Sequence, residues 1–209
     1  MAAPHMILKA SALALLSFAA VDAWCDTMYS YNSPNYSADR IENHGKAVFT
    51  TKMKISGSFT LPEPLRAKES KEITRFVKTW NFSDGVNTFT PANSQFIATV
   101  TTDAAGRIAK FGLLIDAPKG PYSAGQRVNM ISIANVDDEQ RAEVITQAMC
   151  KAADAEFCEI QIGGVGPTMS AAVVDPPIGS VTVSPAETTK PAAGERHGAS
   201  PEHPRSRSH

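Results

Sequence analysis

The chain has 209 residues, of which 43% are hydrophobic and 20% charged, and its formal net charge at pH 7 is −1. Such a composition belongs to a globular protein and excludes a disordered chain. Without a basic excess there is little to draw phosphate or acidic lipid, so nucleic acid and membrane surfaces are not expected partners.

Residues 1–23 read as a cleavable signal peptide. Lys9 supplies the positive n-region, Ala10 to Val21 is uncharged and rich in Ala and Leu, and Val21-Asp22-Ala23 offers small or β-branched residues at the peptidase site. Cleavage is expected between Ala23 and Trp24, with a cut after Ala19 as the alternative. The apolar run is too short for an anchor, since about a dozen residues reach roughly 18 Å as a helix against about 30 Å of hydrocarbon. A lipid on Cys25 is ruled out because the preceding residue should be small, and it is Trp24. No later segment resembles a second apolar span. The mature chain is therefore expected to be secreted, periplasmic or at the cell surface, with no transmembrane segment after signal removal.

One β-rich domain is expected over residues 24–184, a length suited to a single core. Its first part carries Tyr29, Tyr31 and Tyr36, which read as packing across a sheet, with a carbohydrate-stacking surface as the alternative. Asn35-Tyr36-Ser37 and Asn81-Phe82-Ser83 match the N-glycosylation pattern, and the first lies in what reads as an ordered loop.

From Val48 to Leu61 the chain alternates, with Phe49, Thr51, Met53, Ile55, Gly57, Phe59 and Leu61 on one side. This predicts a strand with one wet face, bending smoothly near Gly57 with its phase kept. Arg66 to Glu72 reads as a surface connection. Ile73 to Trp80 fits a strand better than its helical competitor, because Asp84-Gly85 follows between two runs rich in aromatic and β-branched residues. As a two-residue type I′ turn that pair places Ser83 opposite Val86, Phe82 opposite Asn87 and Trp80 opposite Phe89.

Two further strands, Phe96–Thr102 and Arg107–Ile115, flank a type I turn at Asp103-Ala104-Ala105-Gly106. Gln126 to Val136 predicts another strand. After it the period changes: Asp137 with Gln140 suggests a capping box, and Val144, Ile145, Ala148, Met149 and Ala152 form a stripe that predicts a helix near residues 138–153. Phe157 to Ile162 returns to a strand. The expected fold is mainly β, an antiparallel meander forming a sandwich or an open barrel, with that one late helix. Residues 185–209 hold no Ile, Leu, Val or aromatic residue and read as a disordered tail.

Three segments carry a resemblance. Ile55-Ser56-Gly57-Ser58-Phe59-Thr60-Leu61, Asn81-Phe82-Ser83-Asp84-Gly85-Val86-Asn87-Thr88-Phe89-Thr90 and Thr102-Asp103-Ala104-Ala105-Gly106-Arg107-Ile108 stand in that order behind a signal peptide. Over about residues 47–116 the chain resembles a loose group of small exported bacterial β-rich proteins of unknown function, many ending in a PEP-CTERM sorting tail. Residues 185–209 have neither the apolar span nor the basic terminus of such a tail. The resemblance implies export and supplies no catalytic residue.

The ingredients of catalysis are sparse. Of five histidines only His44 lies in the expected domain, and a single histidine without a clear carboxylate or thiol partner reads as a loop residue. Gly163, Gly164 and Gly166 lack the Lys-Ser or Lys-Thr of a phosphate loop and read as a turn. Asp137-Asp138-Glu139 lacks the alternating ligands of a calcium loop and reads as helix capping. No cofactor or metal is expected. Cys150 and Cys158 close the shortest loop among the three cysteines and are the expected disulfide, leaving Cys25 free or paired between molecules.

Two functions remain. The first is an exported non-catalytic protein, structural or binding, that presents a β-sheet surface to an extracellular or cell-surface partner. The alternative is a small secreted hydrolase using paired carboxylates drawn from Asp103, Asp116, Glu159 and Asp175. Two close acids in a pocket would favour the alternative.

Overall fold

A computed structural model describes residues 26–136, 139–153, 158–160 and 168–185. The expected signal peptide and its Ala23–Trp24 junction, Cys25, Asp137, Asp138, residues 163–166 and residues 186–209 lie outside the described residues. Among those described, the strands in chain order are β1 (Thr27–Asn35), β2 (Ile41–Asn43), β3 (Lys54–Leu61), β4 (Ser70–Glu72), β5 (Thr79–Ser83), β6 (Thr88–Phe89) and β7 (Gln95–Thr102). They continue with β8 (Ile108–Ala117), β9 (Arg127–Val136), β10 (Glu139–Ala153), β11 (Cys158–Ile160), β12 (Ser170–Val174) and β13 (Ser180–Pro185). The smaller sheet has the order β13-β1-β3-β5-β6 and the larger β2-β12-β10-β9-β8-β7-β4, with β11 added on β10. No helix among the described residues is long and apolar enough to cross a membrane.

Of the two expected architectures the fold is the sandwich. Tyr29, Tyr31, Phe59, Phe82 and Phe89 of the smaller sheet share one core with Phe96, Phe111, Ile115, Ile131 and Ile133 of the larger. Rings meet across the layers: Phe59 lies 5.8 Å from Phe96, and Tyr31 lies 5.9 Å from Phe111, centroid to centroid. Aromatic pairs at such distances add attraction beyond the area they bury.

Tyr29 and Tyr31, expected to pack across a sheet, lie on strand β1, with Thr27, Tyr29, Tyr31 and Ser33 buried in alternation. Tyr29, Tyr31 and Tyr36 are 1–3% exposed, which overturns the carbohydrate-stacking alternative. Each phenol is satisfied by the backbone: the Leu65 amide donates to the Tyr29 hydroxyl (2.8 Å), while Tyr31 donates to the Ile178 carbonyl (2.5 Å) and Tyr36 to that of Asp84 (2.8 Å). Burial pushes all three hydroxyls above the ordinary tyrosine range. Asn35 and Asn81 of the two glycosylation patterns are exposed.

The strand expected from Val48 begins only at Lys54, because Thr50 to Met53 closes a turn in which the Met53 amide donates to the Thr50 carbonyl (3.0 Å). Its phase is kept as expected, with Ile55, Phe59 and Leu61 buried. Gly57 faces Phe82 on β5, and a Cβ there would lie 2.4 Å from Cγ of that ring.

The Asp84-Gly85 turn is where expected, with Gly85 at φ +89°, but its register is two residues off the expected one. Phe82 pairs with Phe89 and Ser83 with Thr88, so four residues form the loop and Trp80 pairs with Phe59 on β3 instead. Asp84 is the cause. Its Oδ1 accepts from the amides of Val86 (2.7 Å) and Asn87 (2.5 Å), and its Oδ2 accepts from the Asn87 side chain (2.8 Å). A side chain that binds its own loop amides replaces the backbone ladder of a tighter turn.

The helix expected near residues 138–153 is instead the long strand β10. Ala142, Val144 and Thr146 face the core, and the register to β9 slips between Ile145 and Ala148, where Gln147 has φ 57°. This bulge switches the side on which apolar residues fall. Beyond it Ala148 and Cys150 turn to the outer face and join Val128, Tyr122 and Met169 in a second small cluster. Two apolar residues on either side of a bulge, at 144–145 and 148–149, imitate helical spacing. The expected disulfide is present, joining β10 to β11 through Cys150 and Cys158. At the other end of the chain, β13 runs one residue past the boundary expected at 184, with Pro185 opposite Thr27.

Candidate functional site

A cleft of about 820 Å³ among the described residues draws on five separate segments. His44, Gly45, Lys46 and Ala47 come from the loop after β2, and Val86 and Asn87 from the β5–β6 loop. Asn129 lies on β9, Thr146 and Gln147 at the β10 bulge, and Thr168 just before β12. The volume is that of a small-molecule site.

Hydrogen bonds fix its walls. The Asn43 side chain donates to the Phe49 carbonyl and accepts from its amide, both at 2.9 Å, closing the loop between them. Buried Ser170 spans the same loop, its Oγ accepting from the Gly45 amide (3.0 Å) and donating to the Ala47 carbonyl (2.8 Å). Gly45 is required there, since a Cβ would sit 2.3 Å from the Thr168 carbonyl oxygen. Opposite, the Asp84 carboxylate holds the Val86 and Asn87 amides. The bulge is held by its neighbours on β9: the Gln147 amide donates to Asn129 Oδ1 (2.9 Å), and Arg127 donates to the Gln147 carbonyl (2.9 Å). A strained residue fixed this way beside a cleft is a recurrent feature of binding sites.

Among the described lining residues, the ionisable ones are His44 and Lys46, and the others offer amides, hydroxyls and the half-exposed Val86. Such a surface can hydrogen-bond an oxygen-rich ligand and attract a negative group.

The four sequence-named carboxylates lie elsewhere. Asp103 sits in the β7–β8 turn, accepting from the Ala105 and Arg107 amides and paired with the Arg107 guanidinium (2.8 Å); the Arg107 amide bond leads the effects that hold its carboxyl below the usual range. Asp116 lies near the far end of β8, some 26 Å of strand beyond Ile108 at about 3.3 Å per residue, whereas glycosidase carboxylates stand about 5 to 9.5 Å apart. It is 4% exposed, its Oδ1 has no hydrogen-bond partner, and burial pushes its pKa up to about 6. Asp175 is exposed after β12, with its amide on Ser37 Oγ (3.1 Å).

Glu159 on β11 lines a smaller outer groove, about 360 Å³, together with Glu143, a residue that sequence reasoning did not single out. Glu143 is paired to Arg141 at 2.5 Å. Among the described residues no group of three or more His, Cys, Asp or Glu side chains is placed to hold a metal ion.

Sequence reading set His44 aside as a loop residue, and the cleft has no motif to find, because its parts lie from residue 44 to residue 168. Comparison with protein-family models, curated proteins and solved structures finds no match for the chain, so its functional reading rests on the chemistry of these surfaces.

Proposed function

We propose that this chain is an exported, non-catalytic binding protein whose cleft takes a small oxygen-rich ligand, neutral or acidic. The observation that carries the reading is the character of the cleft: about 820 Å³ lined by Asn87, Asn129, Thr146, Gln147, Thr168, His44 and Lys46. These side chains bind and orient; the described lining offers His44 no carboxylate or thiol to work with, as a nucleophilic or acid–base site requires. Export is supported by the leader sequence, by the resemblance over residues 47–116 and by the Cys150–Cys158 disulfide, which persists in oxidising compartments.

The test is a thermal-shift screen of neutral sugars, uronic acids and small carboxylates on the purified chain. A genuine ligand raises the melting temperature, and the shift disappears in Lys46→Ala and Asn87→Ala. A second reading, hydrolysis by paired carboxylates, is favoured by one observation, the presence of Glu143 and Glu159 on the same outer groove. Turnover in a broad hydrolase screen, abolished by Ala at Glu143, Glu159, Asp103, Asp116 or Asp175, would replace the first reading with the second.

A further inference from the structure

Among the described residues the two sheets of the sandwich leave four edges, and three of them are blunted. β6 is two residues long, β2 is three residues and carries Glu42, and β4 is Ser70-Lys71-Glu72. Short length and charge are the usual devices that keep a sheet edge from pairing with another chain. β13 has neither. It runs from Ser180 to Pro185 without a charged residue, its ladder to β1 is unbroken from Asn32↔Ser180 to Thr27↔Pro185, and proline stands only at its last position. On its inward side Val181 packs against the core, while Val183 is 52% exposed.

The sequence of this edge is self-complementary. Ser180-Val181-Thr182-Val183-Ser184 reads the same in both directions. Two copies laid antiparallel about a two-fold axis at Thr182 bring Val181 of one opposite Val183 of the other, Ser180 opposite Ser184, and Thr182 opposite itself. Valines fall on one face and hydroxyls on the other, the residue classes that favour cross-strand pairing. No like charges meet along the edge, and the chain's net charge of −1 adds little repulsion.

We propose that β13 is a self-association edge, through which two copies of this chain form an isologous dimer with one continuous sheet across the two-fold axis. The contact is a single strand pair, smaller than the roughly 1,000 Å² of a stable specific interface. The dimer therefore dissociates on dilution, unlike a covalent one made through Cys25.

Sedimentation velocity over a concentration series tests this. The weight-average mass of the purified chain should climb from the monomer value toward twice that value, reversibly. Thr182 is exposed, so Thr182→Lys and Thr182→Glu should melt as the parent does. Each alone sets like charges opposite one another and should weaken association about tenfold or more. An equimolar mixture of the two should recover it, because only this register sets residue 182 against itself. A chain that stays monomeric throughout, as it would with residues 186–209 covering the edge, overturns the proposal. So does association that persists in both single variants, or a mixture no stronger than either variant alone.

Discussion

Tyr31 and Tyr122 are both buried, yet removing their hydroxyls should act in opposite directions. The Tyr31 hydroxyl donates to the Ile178 carbonyl, and Tyr31→Phe strands that acceptor, costing about 1–3 kcal/mol. The Tyr122 hydroxyl is buried and makes no hydrogen bond of good geometry, so Tyr122→Phe should leave stability unchanged or raise it in urea denaturation. Burial first, then the nearby Asp116 carboxylate, push Tyr122 up to about 12, against a smaller opposing effect of the Gly120 amide. Asp116 itself gives a pH signature. Its pKa rises from 3.8 to about 6 on folding because of burial, so the folded chain holds the proton more tightly than the unfolded one. The stabilising contribution is complete below pH 3.8 and is lost as pH climbs through 6, in total about 3 kcal/mol. Asp116→Asn should remove that part of the pH dependence, leaving a variant that gains on the parent from pH 4 to pH 7 when both are unfolded in urea. Sequence singled out Asp116 only as a carboxylate. What makes it unusual is enclosure on the outer face of the larger sheet, which no local pattern of residues encodes.

At the scale of single elements, β3 and β10 make the sharpest demands. Gly57→Ala would put a methyl group 2.4 Å from the Phe82 ring and 2.5 Å from the Asn81 carbonyl oxygen; overpacking of that kind costs about 1–3 kcal/mol, readable as a lowered melting temperature. Gln147 occupies the left-handed region at φ 57°, where a side chain is disfavoured by about 1 kcal/mol or more. Gln147→Gly should therefore stabilise the chain, contrary to the usual effect of glycine in a strand, whereas Asn129→Ala should destabilise it by removing the acceptor of the Gln147 amide. Strands β7, β8 and β9 were readable in the sequence because they alternate and because Asp103 and Gly106 mark their turn. β10 was not, since its bulge breaks the alternation and its core-facing Ala142 and Thr146 are weakly apolar. The β5–β6 register was missed for a different reason: the sequence shows Asp84 and Gly85 but not that Asp84 spends its carboxylate on the loop. The short strands β2 and β4, with three residues each, have too few positions to show any period.

Across the whole molecule the sandwich character was readable and the strand order was not, because pairing partners far apart in sequence leave no local trace. The clearest case is β1, held between β3 and β13. Truncation after Pro185 removes only residues without Ile, Leu, Val or aromatic side chains and should leave the thermal melt unchanged. Truncation after Asp175 removes Ile178, which is 1% exposed and receives the Tyr31 hydrogen bond, together with the whole of β13. That shorter chain should lose its cooperative transition, followed by circular dichroism.

The pairing of β1 with β13 also separates the order of synthesis from the order of assembly. A ribosome finishes β1 some 150 residues before it reaches the strand that will lie beside it, as the Tyr29↔Val183 pair makes plain. Until β13 is made, the smaller sheet therefore lacks its outer strand, and Tyr31 lacks the carbonyl of Ile178. A sheet whose outer strand is made long after its neighbour stays loose for longer than one whose neighbours in space are neighbours in sequence.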